Sequence, residues 1–136
     1  MKKELFGRRP LYLLAAGVIF LTGWALGQEM ATTQKTVVHA VAWTAKQGAT
    51  PQQIEEFREA TAKFTQQIPG LRRAWVGKLR TPLTVGDVTR DYGLLLEFDN
   101  LSSREAYSSH PNRAAWAQVW DKARVSGSTN FDVLGE

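Results

Sequence analysis

The hydrophobic positions of this chain change period several times, and each change marks an element. Val37, His39, Val41 and Trp43 alternate with Val38, Ala40, Ala42 and Thr44, the two-residue period of a strand. Both sets are largely apolar, so this strand is expected to be covered on both faces. Lys46 to Ala49 reads as a turn. Thr50-Pro51, with Gln53 three residues after the threonine, predicts a capped helix start. The helix carries Ile54, Phe57, Thr61, Phe64 and Ile68 on one stripe, with Glu55, Glu56, Arg58, Glu59 and Lys63 away from it. Pro69-Gly70 stops it.

A second strand is expected over 71–80, with Leu71, Arg73, Trp75 and Gly77 on one face and Arg72, Ala74, Val76 and Lys78 on the other. Residues 81–90, with Pro82 and Gly86-Asp87, read as a mobile loop on a pocket rim. Tyr92, Leu94, Leu96 and Phe98 line one face of a third strand, and Gly93, Leu95 and Glu97 the other. Ser102 or Ser103 is expected to cap a short helix ending at Tyr107. Pro111 disfavours helical backbone at His110 and suits the first position of a following helix, which predicts a corner at His110. That helix places Trp116, Val119, Trp120 and Ala123 on one side, until Ser126-Gly127-Ser128 breaks it. Thr129, Phe131 and Val133 then alternate with Asn130, Asp132 and Leu134 in a last strand.

Strand, helix, strand, strand, helix pair, strand is the ferredoxin-like split βαβ order, an α+β protomer with helices on one face of an antiparallel sheet. The other face has no helix to cover it, yet it carries apolar side chains. A monomer would leave roughly several hundred Å² of apolar surface in water, more than soluble monomers usually show. A homodimer that stacks the two open faces into a shared dimeric α/β barrel is therefore expected.

Charge and composition add an address and remove several functions. Residues 1–10 are charged, while 11–27 carry no charge, the layout of an export signal. Ala25-Leu26-Gly27 offers small residues for cleavage before Gln28; the alternative is an uncleaved membrane anchor, short but long enough to span. The chain thus divides into 1–27 as signal peptide or anchor, 28–35 as linker and 36–136 as the folded domain, exported to the periplasm or cell exterior or held at the membrane by 1–27 alone. The formal net charge of +4 hints at nucleic acid. Its distribution removes the hint: four basic residues against one acidic in 1–27 leave 13 against 12 in the remainder. No nucleic-acid partner is expected. There are no cysteines, so a disulfide framework and a thiol nucleophile are excluded. Two histidines without a spaced carboxylate cluster match no metal pattern. No Gly-rich phosphate loop and no G-x-S-x-G elbow are present, and no cofactor is expected.

The candidate chemistry rests on His39 and Tyr107 as acid–base groups, with His110, Arg113, Trp43 and Trp75 as pocket residues for a small apolar or aromatic ligand; Trp116 and Trp120 fit the same pocket or the core. With Val38-His39-Ala40-Val41, Ile68-Pro69-Gly70-Leu71, Val76-Gly77, Leu94 to Phe98 and Ala106-Tyr107-Ser108-Ser109-His110-Pro111 in place, the domain resembles the stress-responsive α/β-barrel (Dabb) family over roughly 37–134. The resemblance implies a ferredoxin-like protomer and a dimeric barrel. It also implies a role for the strand-one histidine, matched by His39, and for Tyr107 and His110 at the corner. Some plant members are polyketide cyclases whose base is a histidine three positions beyond the corner one. Here that position is Arg113, which stays protonated and cannot be a general base, but can hold a carboxylate or enolate. Two functions compete: a non-catalytic, stress-related binder of a small apolar ligand, and a cyclase-like lyase or isomerase using His39 and Tyr107 on a carbonyl substrate. A cofactor-free oxygenase of the related superfamily is a third, by analogy of fold alone.

Overall fold

The computed structural model describes residues 35–135; the expected leader 1–27 and all but the last residue of the expected linker lie outside them. Strand β1 is Val37–Trp43, helix α1 Pro51–Thr65, strands β2 and β3 Leu71–Val85 and Val88–Phe98, helices α2 and α3 Leu101–Tyr107 and Asn112–Ala123, and strand β4 Thr129–Leu134. The strands form one antiparallel sheet in the order β2-β3-β1-β4. This is the ferredoxin-like α+β arrangement that the element order predicts.

Local chemistry accounts for the helix ends. Thr50 Oγ1 accepts from the Gln53 amide at 3.2 Å and the Gln53 side chain accepts from the Thr50 amide at 2.9 Å, a reciprocal cap with Pro51 just inside. Gly70 closes the turn into β2 at a φ of 76°, where a Cβ would collide with the Ser103 side chain. Helix α2 departs from expectation at its start. Asn100, not Ser102 or Ser103, is the cap, accepting from the Ser103 amide at 2.9 Å. Its short amide side chain reaches back over the first turn from just outside the helix. Helix α3 begins one residue after Pro111, which already holds helical angles.

Two further corrections concern β2. The segment 81–90 is no loop: β2 runs to Val85, Gly86 turns the chain at a φ of 59°, and β3 starts at Val88. Glycine followed by one more residue suits a tight hairpin turn, and Thr81, Val85, Val88 and Thr89 are β-branched residues that favour strand on either side of it. Pro82 sits within the register shift between Lys78 and Leu83, where the missing amide costs no ladder bond. A second shift, between Leu71 and Arg73, reverses the phase of the strand. Leu71 is buried and Ala74 and Val76 pack toward the core, so Leu71 does not share a face with Arg73, Trp75 and Gly77.

One face of the sheet meets the helices through a core dominated by rings. Phe57 stacks on Trp120 with centroids 5.3 Å apart, Phe64 on Trp116 at 4.6 Å, and Trp43 meets Phe57 edge-on at 5.9 Å. The Trp116 indole donates to Thr61 Oγ1 at 3.0 Å, so that buried N–H is satisfied. No described residue covers the other face. Trp75 is 46% exposed, Phe131 55% and Val133 52%. Between such side chains runs a groove of about 430 Å³ floored by Ala40, Ala42, Gly77 and Gly93. Lys78 and Thr81 are its polar lining, and on the same sheet face Arg73 pairs with Glu97 at 2.8 Å.

Candidate functional site

Strand alternation carries His39 to the helix-covered face of β1, where it is buried beside the carboxyl-terminal half of α2. The pairing of β1 with β4 sets His39 opposite Asp132. Their side chains meet: His39 Nδ1 lies 2.6 Å from Asp132 Oδ1. Arg104 of α2 completes the cluster, donating from Nε to Asp132 Oδ1 at 3.0 Å and from Nη1 to Ser108 Oγ at 2.9 Å. Its Nη2 lies 3.0 Å from the same His39 Nδ1.

The surrounding charges bear on both members of the pair. Burial pushes the Asp132 carboxyl up, but the hydrogen bonds and charges of His39 and Arg104 outweigh it and hold the group below its ordinary range. An ionised carboxylate can only accept, so the 2.6 Å contact assigns the proton to Nδ1 of the imidazole, and Arg104 Nη2, 3.0 Å from the same nitrogen, is then a close approach and not a hydrogen bond. The lone pair of the neutral ring is then on Nε2, which has no hydrogen-bond partner among the described residues. The His39 imidazole itself is pushed below its usual value, first by burial and then by the Arg104 and Arg113 charges, against the opposing effect of Asp132. A neutral ring with one nitrogen tied to a carboxylate and the other without a partner among the described residues can accept a proton.

A small cavity of about 90 Å³ opens beside this ring, lined among others by His39, Tyr107, Arg113, Trp116, Trp120 and Asn130. Tyr107 is buried, with its ring 6.2 Å from that of His39 and flanked by two guanidiniums: Arg104 at 5.6 Å and Arg113 at 5.3 Å from the ring centre. His39 is thus brought together with Tyr107 and Arg113, which lie some seventy residues further along the chain. The remaining candidates are placed elsewhere. Trp43 is fully buried in the ring core. Trp75 lies on the open face, in the groove wall. His110 holds the start of α3, its Nδ1 accepting from the Asn112 amide at 3.2 Å. Among the described residues no group of three or more His, Asp and Glu side chains gathers as a metal ion would require.

Asp132 and Arg104 are the members that a reading of the sequence misses. Arg104 stands three residues before Tyr107, on the same helical face, which is a legible signal. Asp132 gives none, because its meeting with His39 depends on the register of β4 against β1.

A ferredoxin-like α+β protein with a histidine–carboxylate pair between sheet and helices is the class these features define. The chain belongs to the Dabb family, the stress responsive A/B barrel domain, whose model matches residues 37–133. A comparison with curated protein sequences gives no match. Solved structures share the fold. A dimeric ferredoxin-like protein of unknown function from Bacteroides fragilis is 22% identical, with 72% of this chain and 94% of that one covered at a TM-score of 0.54. A Dabb family protein from Mesorhizobium loti is 18% identical over 74% and 96%, at 0.57. The hydroxynitrile lyase of Passiflora edulis is 13% identical over 76% and 95%, at 0.60.

Proposed function

We propose that the protein is an acid–base catalyst acting on a small carbonyl compound, with His39 as the proton acceptor. The observation that carries this reading is the 2.6 Å contact between His39 Nδ1 and Asp132, which leaves Nε2 as the basic atom beside a cavity. In the reaction, Nε2 takes a proton from the carbon next to the carbonyl. The C–H electron pair becomes the enolate, and its charge gathers on oxygen, where Arg113 and the Tyr107 hydroxyl can oppose it. Return of the proton from Nε2–H completes an isomerisation; loss of a leaving group from the enolate completes a lyase reaction. A cavity of about 90 Å³ suits a substrate of a few heavy atoms and not a polyketide chain.

The uncovered sheet face supports a homodimer in which two such faces close a barrel, and dimeric neighbours with this fold agree with it. A second reading, a non-catalytic binder of a small apolar molecule, is favoured by the apolar groove of about 430 Å³ on that same face. Residues 1–27 support export, for which mature protein beginning at Gln28 is the expected product on amino-terminal sequencing. To test the catalytic reading, the full-length protein is incubated in D₂O with a panel of small methyl ketones and 2-oxo acids, and exchange at the carbon next to the carbonyl is followed by NMR. Exchange above the buffer rate, lost by about 10²–10⁴-fold in His39→Gln, is the expected result. Exchange unaffected by that substitution, or none with any member of the panel, overturns it.

A further inference from the structure

The polar groups around the cavity are unbalanced. Its ionisable and polar lining consists of His39, Tyr107, Arg113, Arg124, Ser128 and Asn130, and contains no carboxylate. Two nearby arginines are already matched: Arg104 pairs with Asp132 at 3.0 Å and Arg124 with Asp121 at 2.7 Å. Arg113 is not. Among the described residues it has no acidic group within ion-pair distance, and it rests on the Tyr107 ring. Trp120 presents no donor to the cavity: its indole Nε1 is buried out of reach, beneath the Arg124 guanidinium 3.8 Å above the ring centre.

A cavity with a spare cation at its exposed rim and no acidic wall is suited to an anion that accepts hydrogen bonds. The same charge disfavours a cationic ligand. We infer that this site takes a small carboxylate, gripped by the Arg113 guanidinium. Joined to the proposed function, on which only the placing of the carbonyl rests, the substrate class becomes a short 2-oxo acid whose carboxylate anchors it while His39 works on the carbon beyond the carbonyl. Arg113 is then a determinant of specificity.

Calorimetric titration of the full-length protein with pyruvate, its uncharged amide pyruvamide, and sulfate tests this at fixed ionic strength. Pyruvate is expected to bind at least tenfold more tightly than pyruvamide and sulfate. Arg113→Gln, at an exposed position that leaves the core intact, should remove at least tenfold of that affinity. His39→Gln should still bind pyruvate while exchanging none of its protons, so failure of the catalytic reading would be visible separately. Equal binding of pyruvate and pyruvamide overturns the carboxylate assignment. Sulfate binding as tightly as pyruvate reduces the site to a general anion patch, and unchanged affinity in Arg113→Gln removes the anchor.

Discussion

The two faces of this sheet are made by alternate residues of the same strands, yet they finish differently. On the helix side, Trp43, Leu94, Leu96 and Phe98 are fully or almost fully buried, closed over by rings from α1 and α3. On the open side, the pairing of Gly77 with Gly93 and of Gly93 with Ala42 lays small residues in a row, flanked by large exposed ones. The helix side also contains the cluster of His39, Asp132 and Arg104. The open side contains the Arg73–Glu97 pair, half of it in solvent. Among the described residues, burial is completed on the first face and not on the second, so stability belongs chiefly to the first, and the second is the face proposed for association.

The strongest way to break that division is a pair of substitutions. Trp43→Ala removes a fully buried ring from the helix side and should cost about 3–5 kcal/mol in chemical denaturation. Phe131→Asp, on the open side, should change the protomer's own unfolding free energy by only about 0.5 kcal/mol. It should weaken self-association roughly a hundredfold, read by sedimentation. If Phe131→Asp unfolds the protein as severely as Trp43→Ala, the open face is core after all.

A second measurement follows stability against pH. Because His39 titrates lower in the folded protein than in the unfolded chain, its contribution is complete above the ordinary imidazole value of about 6.5. It is lost as pH falls from there through the folded value. Asp132 is also lowered, so a further loss begins only below the ordinary carboxylate range. Urea midpoints should therefore fall in two stages, and His39→Gln should erase the first. An unchanged first stage in that variant would assign it to some other group. The smallest effect sharpens the description of the helix side alone: Asn100→Ala should cost about 1 kcal/mol by thermal unfolding, while Ser102→Ala should be near neutral.

Much of this architecture is legible in the amino-acid order. The alternation in 37–43 and 92–98, the Thr50-Pro51-Gln53 start and the Pro69-Gly70 stop are local signals, and each element they mark is present. The errors share a cause. The hairpin across Gly86-Asp87 was hidden by Pro82, which usually argues against a strand but here falls in a register shift. The bulge after Leu71 inverted the faces of β2, since one extra residue flips every later side chain. The site shows the same limit. His39 and Tyr107 stand out by residue type, whereas Asp132 is one acidic residue among several near the end of the chain.

By itself the sequence determined the order of the elements, the residues that make the core, the surplus of apolar surface and the two histidines to which any imidazole chemistry is confined. These are short-range properties, set by periodicity, capping and side-chain type over a few neighbouring positions. Only the tertiary structure decided which histidine is held by a carboxylate, and that Arg113 reaches the same cavity while Trp43 and Trp75 do not. Those outcomes depend on register between strands distant in the chain, and a shift of a single residue in β4 would carry Asp132 to the opposite face.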